Sequence, residues 1–216
     1  MRTTPDLRCY LVTGAGSPGH VVDVARSAVA GGAGVVQVRS KPISARDLYA
    51  LTEEVALAVG DRAHVLVDDR VDVALALRRR GVPVHGVHVG QDDLDVRDVR
   101  SLLGADAVIG LTTGTRPLVE AANELADVID YIGAGPFRPT PTKDSGRAPL
   151  GAEGYRELAE LSKVPVVAIG DVTAEDAGTL AGTGVAGLAV VRGLMGADDP
   201  AAYARRLVSG FEQGRR

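Results

Sequence analysis

Short, almost wholly apolar runs recur from one end of the chain to the other, each followed by a longer stretch of helical pattern. The runs fall at 9–13, 35–39, 64–67, 86–89, 108–112, 128–134, 164–169 and 187–191. They are dense in Val, Ile and Leu, as parallel strands covered on both faces must be. Helices are expected near 20–31, 44–59, 70–80, 94–103, 116–126, 151–162, 173–182 and 198–211. Start signals support several of these: Ser44 precedes Ala45-Arg46-Asp47, and Thr173 followed by Asp176 approximates a capping box. Gly31-Gly32, Gly81, Gly104 and Gly184 stand where helices should stop before the next strand.

Eight such strand–helix units within 216 residues leave little room for anything else. The expectation is an α/β fold, a single closed (β/α)₈ TIM barrel spanning 1–216, with 1–8 as an N-terminal extension and 213–216 as a tail. An open, doubly wound sheet is the competing architecture. The run Gly14-Ala15-Gly16-Ser17-Pro18-Gly19 supplies its G-x-G-x-x-G turn. The acid that a dinucleotide needs about 20 residues later is replaced by Gln37, Arg39 and Lys41. That turn therefore reads as a loop.

Charge is nearly balanced, 24 Lys and Arg against 28 Asp and Glu, so no global field points to nucleic acid or a membrane. Aromatic residues at 3% disfavour a base-stacking platform. The single cysteine, Cys9, cannot form an intramolecular disulfide and reads as a buried thiol in a reducing compartment. The N-terminal residues show no long apolar segment, and a cytoplasmic protein is expected.

In a barrel, chemistry gathers at the C-terminal ends of the strands. After the second strand, Gln37, Arg39 and Lys41 alternate and so face one side, suiting a pyrophosphate. After the third and fourth come Asp68-Asp69 and Asp92-Asp93, carboxylates that could serve one Mg²⁺ together with substrate phosphates. Helix capping is the competing role for Asp69 and Asp93. The seventh and eighth strands end in Gly170-Asp171 and Val191-Arg192-Gly193, the usual place for a barrel phosphate site, where Gly170 and Gly193 permit close backbone approach. His64, His85 and His88 read as packed or hydrogen-bonded strand residues, because no nucleophile pattern accompanies them.

The most unusual stretch is Tyr131 to Leu150, YIGAGPFRPTPTKDSGRAPL. Four prolines forbid a helix or central strand there. Thr140, Thr142 and the cations Arg138, Lys143 and Arg147 lie between them, a stiff segment suited to holding an anion.

Taken together, Gln37-Val38-Arg39-x-Lys41, Asp68-Asp69-Arg70-Val71-Asp72, Gly86-Val87-His88-Val89-Gly90-Gln91-x-Asp93, Gly135-Pro136 with Pro139-Thr140-Pro141-Thr142-Lys143, and Ala168-Ile169-Gly170 resemble the thiamine-phosphate synthase family. The resemblance implies a barrel that joins a pyrimidine pyrophosphate to a thiazole phosphate with Mg²⁺ as cofactor, releasing pyrophosphate through a pyrimidine-stabilised carbocation. It implies Asp69 and Asp93 as metal ligands and Arg39, Lys41 and Lys143 around the departing pyrophosphate. Gln37 and Asp68 would lie at the pyrimidine substrate. Thr140 and Thr142, with backbone groups near Gly170 and Val191-Arg192, would hold the thiazole phosphate, and Thr112 would supply the hydroxyl of a usual Ser. Asp171 would face that phosphate and repel it, or turn away to cap the seventh helix. Nucleic acid and membrane are not implied as partners, and a homo-oligomer is left open. The chain departs from the family at Gly14 (usually Asp), Ser40 (Glu), Asp68 (Asn), Gly114 (His), Arg138 (apolar) and Asp171 (Gly). Two other readings compete: a thiazole tautomerase-like isomerase, which relies on a His where Gly114 stands, and a phosphate-metabolite binder that has lost catalysis.

Overall fold

A computed structural model describes residues 4–139 and 146–215. Eight parallel strands close into a barrel in chain order: β1 (Cys9–Val12), β2 (Val35–Val38), β3 (His64–Asp68), β4 (Gly86–Val89), β5 (Val108–Thr112), β6 (Tyr131–Ala134), β7 (Val166–Ala168) and β8 (Gly187–Val190). β1 closes the ring by pairing with both β2 and β8. Among the described residues the helices are α1 (Pro18–Ala30), α2 (Ala45–Val59), α3 (Val71–Arg79), α4 (Val96–Leu103), α5 (Arg116–Asn123), α6 (Gly151–Leu161), α7 (Ala177–Ala181), α8 (Arg192–Met195) and α9 (Pro200–Gly214). The expected (β/α)₈ barrel is the observed one.

Alternation along each strand splits the apolar residues into two sets. Leu11, Val36, Val38, Val65, Val67, Val87 and Val89 point outward and pack under the helices. Tyr10, Val12, Val35, Leu66, Val108, Tyr131, Val167 and Ala189 fill the barrel interior. Leu7, in the expected N-terminal extension, is buried with the interior set. Cys9 lies fully buried on the outward set, and burial pushes its thiol up to about 12, so it stays protonated and inert.

Several boundaries differ from expectation. β6 begins at Tyr131, not at 128, because Val128 N and Ile129 N donate back to Leu125 O in turns that follow α5. The expected helix at 173–182 is split into a 3₁₀ turn, Ala174–Asp176, and α7. Its start is the capping box expected from Thr173 and Asp176. α9 continues to Gly214, into the expected tail, and α8 is a short helix that the pattern did not indicate. The glycine-rich turn after β1 serves as a helix entry, with Ser17 as N-cap accepting from His20 N and Pro18 in the first turn of α1.

Candidate active site

The C-terminal ends of the strands enclose a cavity of about 180 Å³, lined on its floor by Tyr10, Gln37, Asp68, His88, Thr112 and Tyr131. A more open cleft of about 590 Å³ adjoins it, bounded by Arg39, Lys41, Asp68, Asp69 and Asp93. Arg39 and Asp68 border both, so the two volumes meet at the ends of β2 and β3.

β2 ends by placing Gln37 inward, only 4% exposed, with its Nε2 buried and without a hydrogen-bond partner. A buried amide N–H₂ left unpaired is costly unless a ligand completes it. Beyond it, Thr13 fixes Arg39: the Arg39 N–H donates to Thr13 Oγ1, and the Thr13 hydroxyl donates to Arg39 O, both at 2.8 Å. Thr13 is thus a positioning residue that the sequence did not mark. Arg39 Nε lies 3.6 Å and Lys41 Nζ 3.2 Å from Asp68 Oδ2, and Lys41 also pairs directly with Asp69. Burial pushes Asp68 up to about 6, with the Asp69 charge adding to the rise and Lys41 and Arg39 opposing it. For Lys41, burial alone would lower the ammonium, but the Asp69 and Asp68 carboxylates outweigh it and the net shift is upward.

The acids at β3 and β4 converge. Asp69 adopts a left-handed φ of 58°, which turns it over the end of β3. It does not cap a helix, since the N-cap of α3 is Arg70, and α4 is capped by Asp95, which accepts from Arg97 N. Asp93 instead accepts from Gly90 N at 2.7 Å, locking its own loop, while Gln91 Nε2 donates to Thr112 O at 2.6 Å. Burial raises Asp93 above the usual carboxylate range, and the nearby Asp69 carboxylate raises it further. Two carboxylates that repel each other beside a cleft fit a divalent cation. Such an ion would take both oxygens and leave positions for phosphate and water. Lys41 already supplies one positive charge at that point.

The other half of the mouth is built from β5 to β8. A chain of hydrogen bonds crosses the barrel interior: Tyr10 OH to Tyr131 OH at 2.7 Å, Tyr131 OH to His88 Nδ1 at 2.9 Å, and His88 Nε2 to Thr112 Oγ1 at 2.9 Å. Thr112 is therefore not an isolated hydroxyl. Room for the rings comes from Gly110 and Gly133, since a Cβ at Gly110 would lie 2.3 Å from Tyr131 OH, and one at Gly133 3.0 Å from His88 Cε1. The histidines hold the packed, hydrogen-bonded roles expected of them; His85 Nδ1, for example, accepts from Val65 N.

Gly170 has φ 104°, and a Cβ there would lie 2.5 Å from Pro136 Cα, so the close backbone approach is made by the proline-rich segment. Gly193 likewise makes room for the Tyr203 hydroxyl of α9, which a Cβ would meet at 2.3 Å. Asp171 was expected to face a phosphate or cap the seventh helix; it does not cap it. It takes φ 60° and pairs its carboxylate with Arg192. Arg138 donates to Asp171 O at 2.9 Å and grips Asp176 through both terminal nitrogens. Arg147, a cation of the proline-rich segment, also reaches the cavity, donating to Thr113 O at 2.5 Å. Thr140, Thr142 and Lys143 lie outside the described residues.

Residues 9–194 match the family model for thiamine monophosphate synthase. The chain belongs to the thiamine monophosphate synthase family. It is 79% identical over 215 residues to the thiamine-phosphate synthase of Corynebacterium efficiens, with 100% of both chains covered. To that of Corynebacterium jeikeium it is 68% identical, over 99% of this chain and 98% of the relative. Among solved structures, a thiamine phosphate pyrophosphorylase from Pyrococcus furiosus superposes with a TM-score of 0.83 at 30% identity, covering 99% of each chain. The transferase activity expected from the motifs is that of these relatives. None of the described helices is long and apolar enough to cross a membrane.

Proposed function

We propose that this member of the family works in the cytoplasm as a Mg²⁺-dependent thiamine-phosphate synthase. It joins 4-amino-2-methyl-5-hydroxymethylpyrimidine pyrophosphate to 4-methyl-5-(2-phosphoethyl)thiazole. The C–O bond to pyrophosphate breaks first and the electron pair leaves with the pyrophosphate. The pyrimidine methylene is then a carbocation, and the thiazole nitrogen lone pair closes the new C–N bond. No protein nucleophile is required, so the catalytic task is electrostatic.

The observation that carries the reading is the unpartnered Gln37 amide at the cavity floor, next to the Arg39, Lys41, Asp69 and Asp93 cluster. Gln37 Nε2 donates to a pyrimidine acceptor and fixes the ring. Arg39 and Lys41 receive the pyrophosphate as its charge grows, together with Lys143. Asp69 and Asp93 would hold Mg²⁺, which would supply further charge neutralisation at the leaving group. Asp68, buried beside Arg39, keeps that guanidinium oriented and lies at the pyrimidine. Thr112, set by His88, offers its hydroxyl at the cavity wall. Thr140, Thr142, Gly170, Val191 and Arg192 take the thiazole phosphate.

The isomerase reading is not favoured. A side chain at Gly114, φ 134°, would place its Cβ 2.5 Å from Gly135 O and 3.1 Å from Arg147 Nη1, so a His has no place there without a backbone shift. The test is a coupled assay with both substrates and Mg²⁺, with and without chelator. Chelator-sensitive formation of thiamine phosphate supports the proposal. Pyrophosphate binding with no product would instead mark a binder that has lost catalysis.

A further inference from the structure

Asp171 places a negative charge where the proposed reaction brings a phosphate, yet it does none of the structural jobs that would account for it. The capping box of the following turn is made by Thr173 and Asp176. The Arg138 guanidinium holds the Asp171 carbonyl and Asp176, which fixes the backbone and leaves the Asp171 carboxylate over the cavity rim. There it pairs with Arg192, whose side chain is 52% exposed and also lines the cavity. The left-handed φ of 60° is one that Asp tolerates better than most residues and Gly best of all.

We propose that Asp171 is an internal counter-ion for Arg192 that sets the affinity and selectivity of the enzyme for the phosphate of its thiazole substrate. The inference rests on the reading above that the ends of β7 and β8 take that phosphate. A phosphate dianion arriving at Arg192 must displace the Asp171 carboxylate or share the guanidinium with it. Either way the net gain is smaller than Arg192 alone would give. The preference for the phosphorylated thiazole over its alcohol is correspondingly weakened.

The test is the KM for thiazole phosphate, and for the thiazole alcohol, in the wild type, D171N, R192Q and the double variant, at saturating pyrimidine pyrophosphate and Mg²⁺. One contact between charges about 4 Å apart in water corresponds to about a fivefold change. D171N is expected to lower the thiazole phosphate KM by about that factor and leave the alcohol KM unmoved, with the gain shrinking at high salt. R192Q is expected to raise the phosphate KM, and the double variant should bind the phosphate more weakly than D171N alone. D171G, compatible with φ 60°, must shift the KM in the same direction and serves if D171N folds poorly. An unchanged or raised KM in both D171N and D171G, with R192Q still weakened, overturns the counter-ion role alone. An unchanged KM in R192Q overturns the placement of the phosphate itself.

Discussion

Removing one oxygen atom from the barrel interior tests how the site is built. Tyr131 OH sits between Tyr10 OH and His88 Nδ1, at 2.7 and 2.9 Å, and Tyr131 is fully buried. In Tyr131→Phe the ring stays, so almost no cavity forms, but two groups lose the partner shown here. Orphaning the buried Tyr10 hydroxyl costs about 1–3 kcal/mol, and the half-buried His88 loses one of its contacts as well, so about 3 kcal/mol is expected. In a chain of this size that corresponds to a fall in Tm of about 6–12 °C. His88 also loses the contact that sets its ring against Thr112, and kcat/KM should fall about three- to tenfold. Tyr10→Phe alone should be milder, about 1 kcal/mol, because Tyr131 keeps His88. The double variant should be no less stable than Tyr131→Phe by itself, since the Tyr10 hydroxyl is no longer there to be orphaned. Differential scanning calorimetry on the three variants gives the cycle directly. A Tm within about 2 °C of wild type, or losses that simply add, would refute the hydrogen-bonded chain.

Three further outcomes follow from the geometry. Asp93→Ala should cut Mg²⁺-dependent turnover by more than tenfold, above about 1.4 kcal/mol in barrier, with an unchanged circular dichroism spectrum; smaller losses would move the metal elsewhere. Arg100 ties α4 to Val128 O, Ala107 O and Asp130, mostly out of solvent, so Arg100→Ala should cost about 3–5 kcal/mol in urea unfolding. Burial, with His64 and Arg78 adding, lowers His85 to about 4 from 6.5, so the unfolded chain takes a proton that the folded one refuses. Stability should therefore be lost as pH falls from 6.5 towards 4. Discounted for the half-exposed ring, the loss between pH 7 and 5 is about 1 kcal/mol, and His85→Gln should remove it.

Much of the barrel was legible in the chain because each strand carries its own signal. A run of Val, Ile and Leu buried on both faces needs no knowledge of its neighbour, and the polar residue that ends each run marks the mouth. Boundaries failed where an apolar run has another cause. Ile129 is 1% exposed, yet it belongs to a turn tucked under the barrel rather than to β6. A buried turn and a buried strand have the same composition. Capping failed as a reading of Asp69 and Asp93 for a similar reason: an acid before a helix is consistent with a cap, but only geometry shows that Arg70 and Asp95 take those places.

What the sequence could not carry is whatever depends on two strands at once. Gly110 and Gly133 look like ordinary strand glycines until the register sets Gly110 beside Tyr131 and Gly110 opposite His88. Only then do they become the space through which Tyr131 reaches His88, and His88 reaches Thr112. The same holds at the rim. Asp171 by itself is an acid in a place meant for phosphate, and Arg192 by itself is a surface cation. The barrel brings their backbones to adjacent strand ends, and the pair acquires a meaning that neither has alone. The departures from the family pattern are therefore better weighed as pairs across strands than as single replacements. By that measure Asp171 with Arg192, and Arg138 with Asp176, adjust a working site rather than dismantle one.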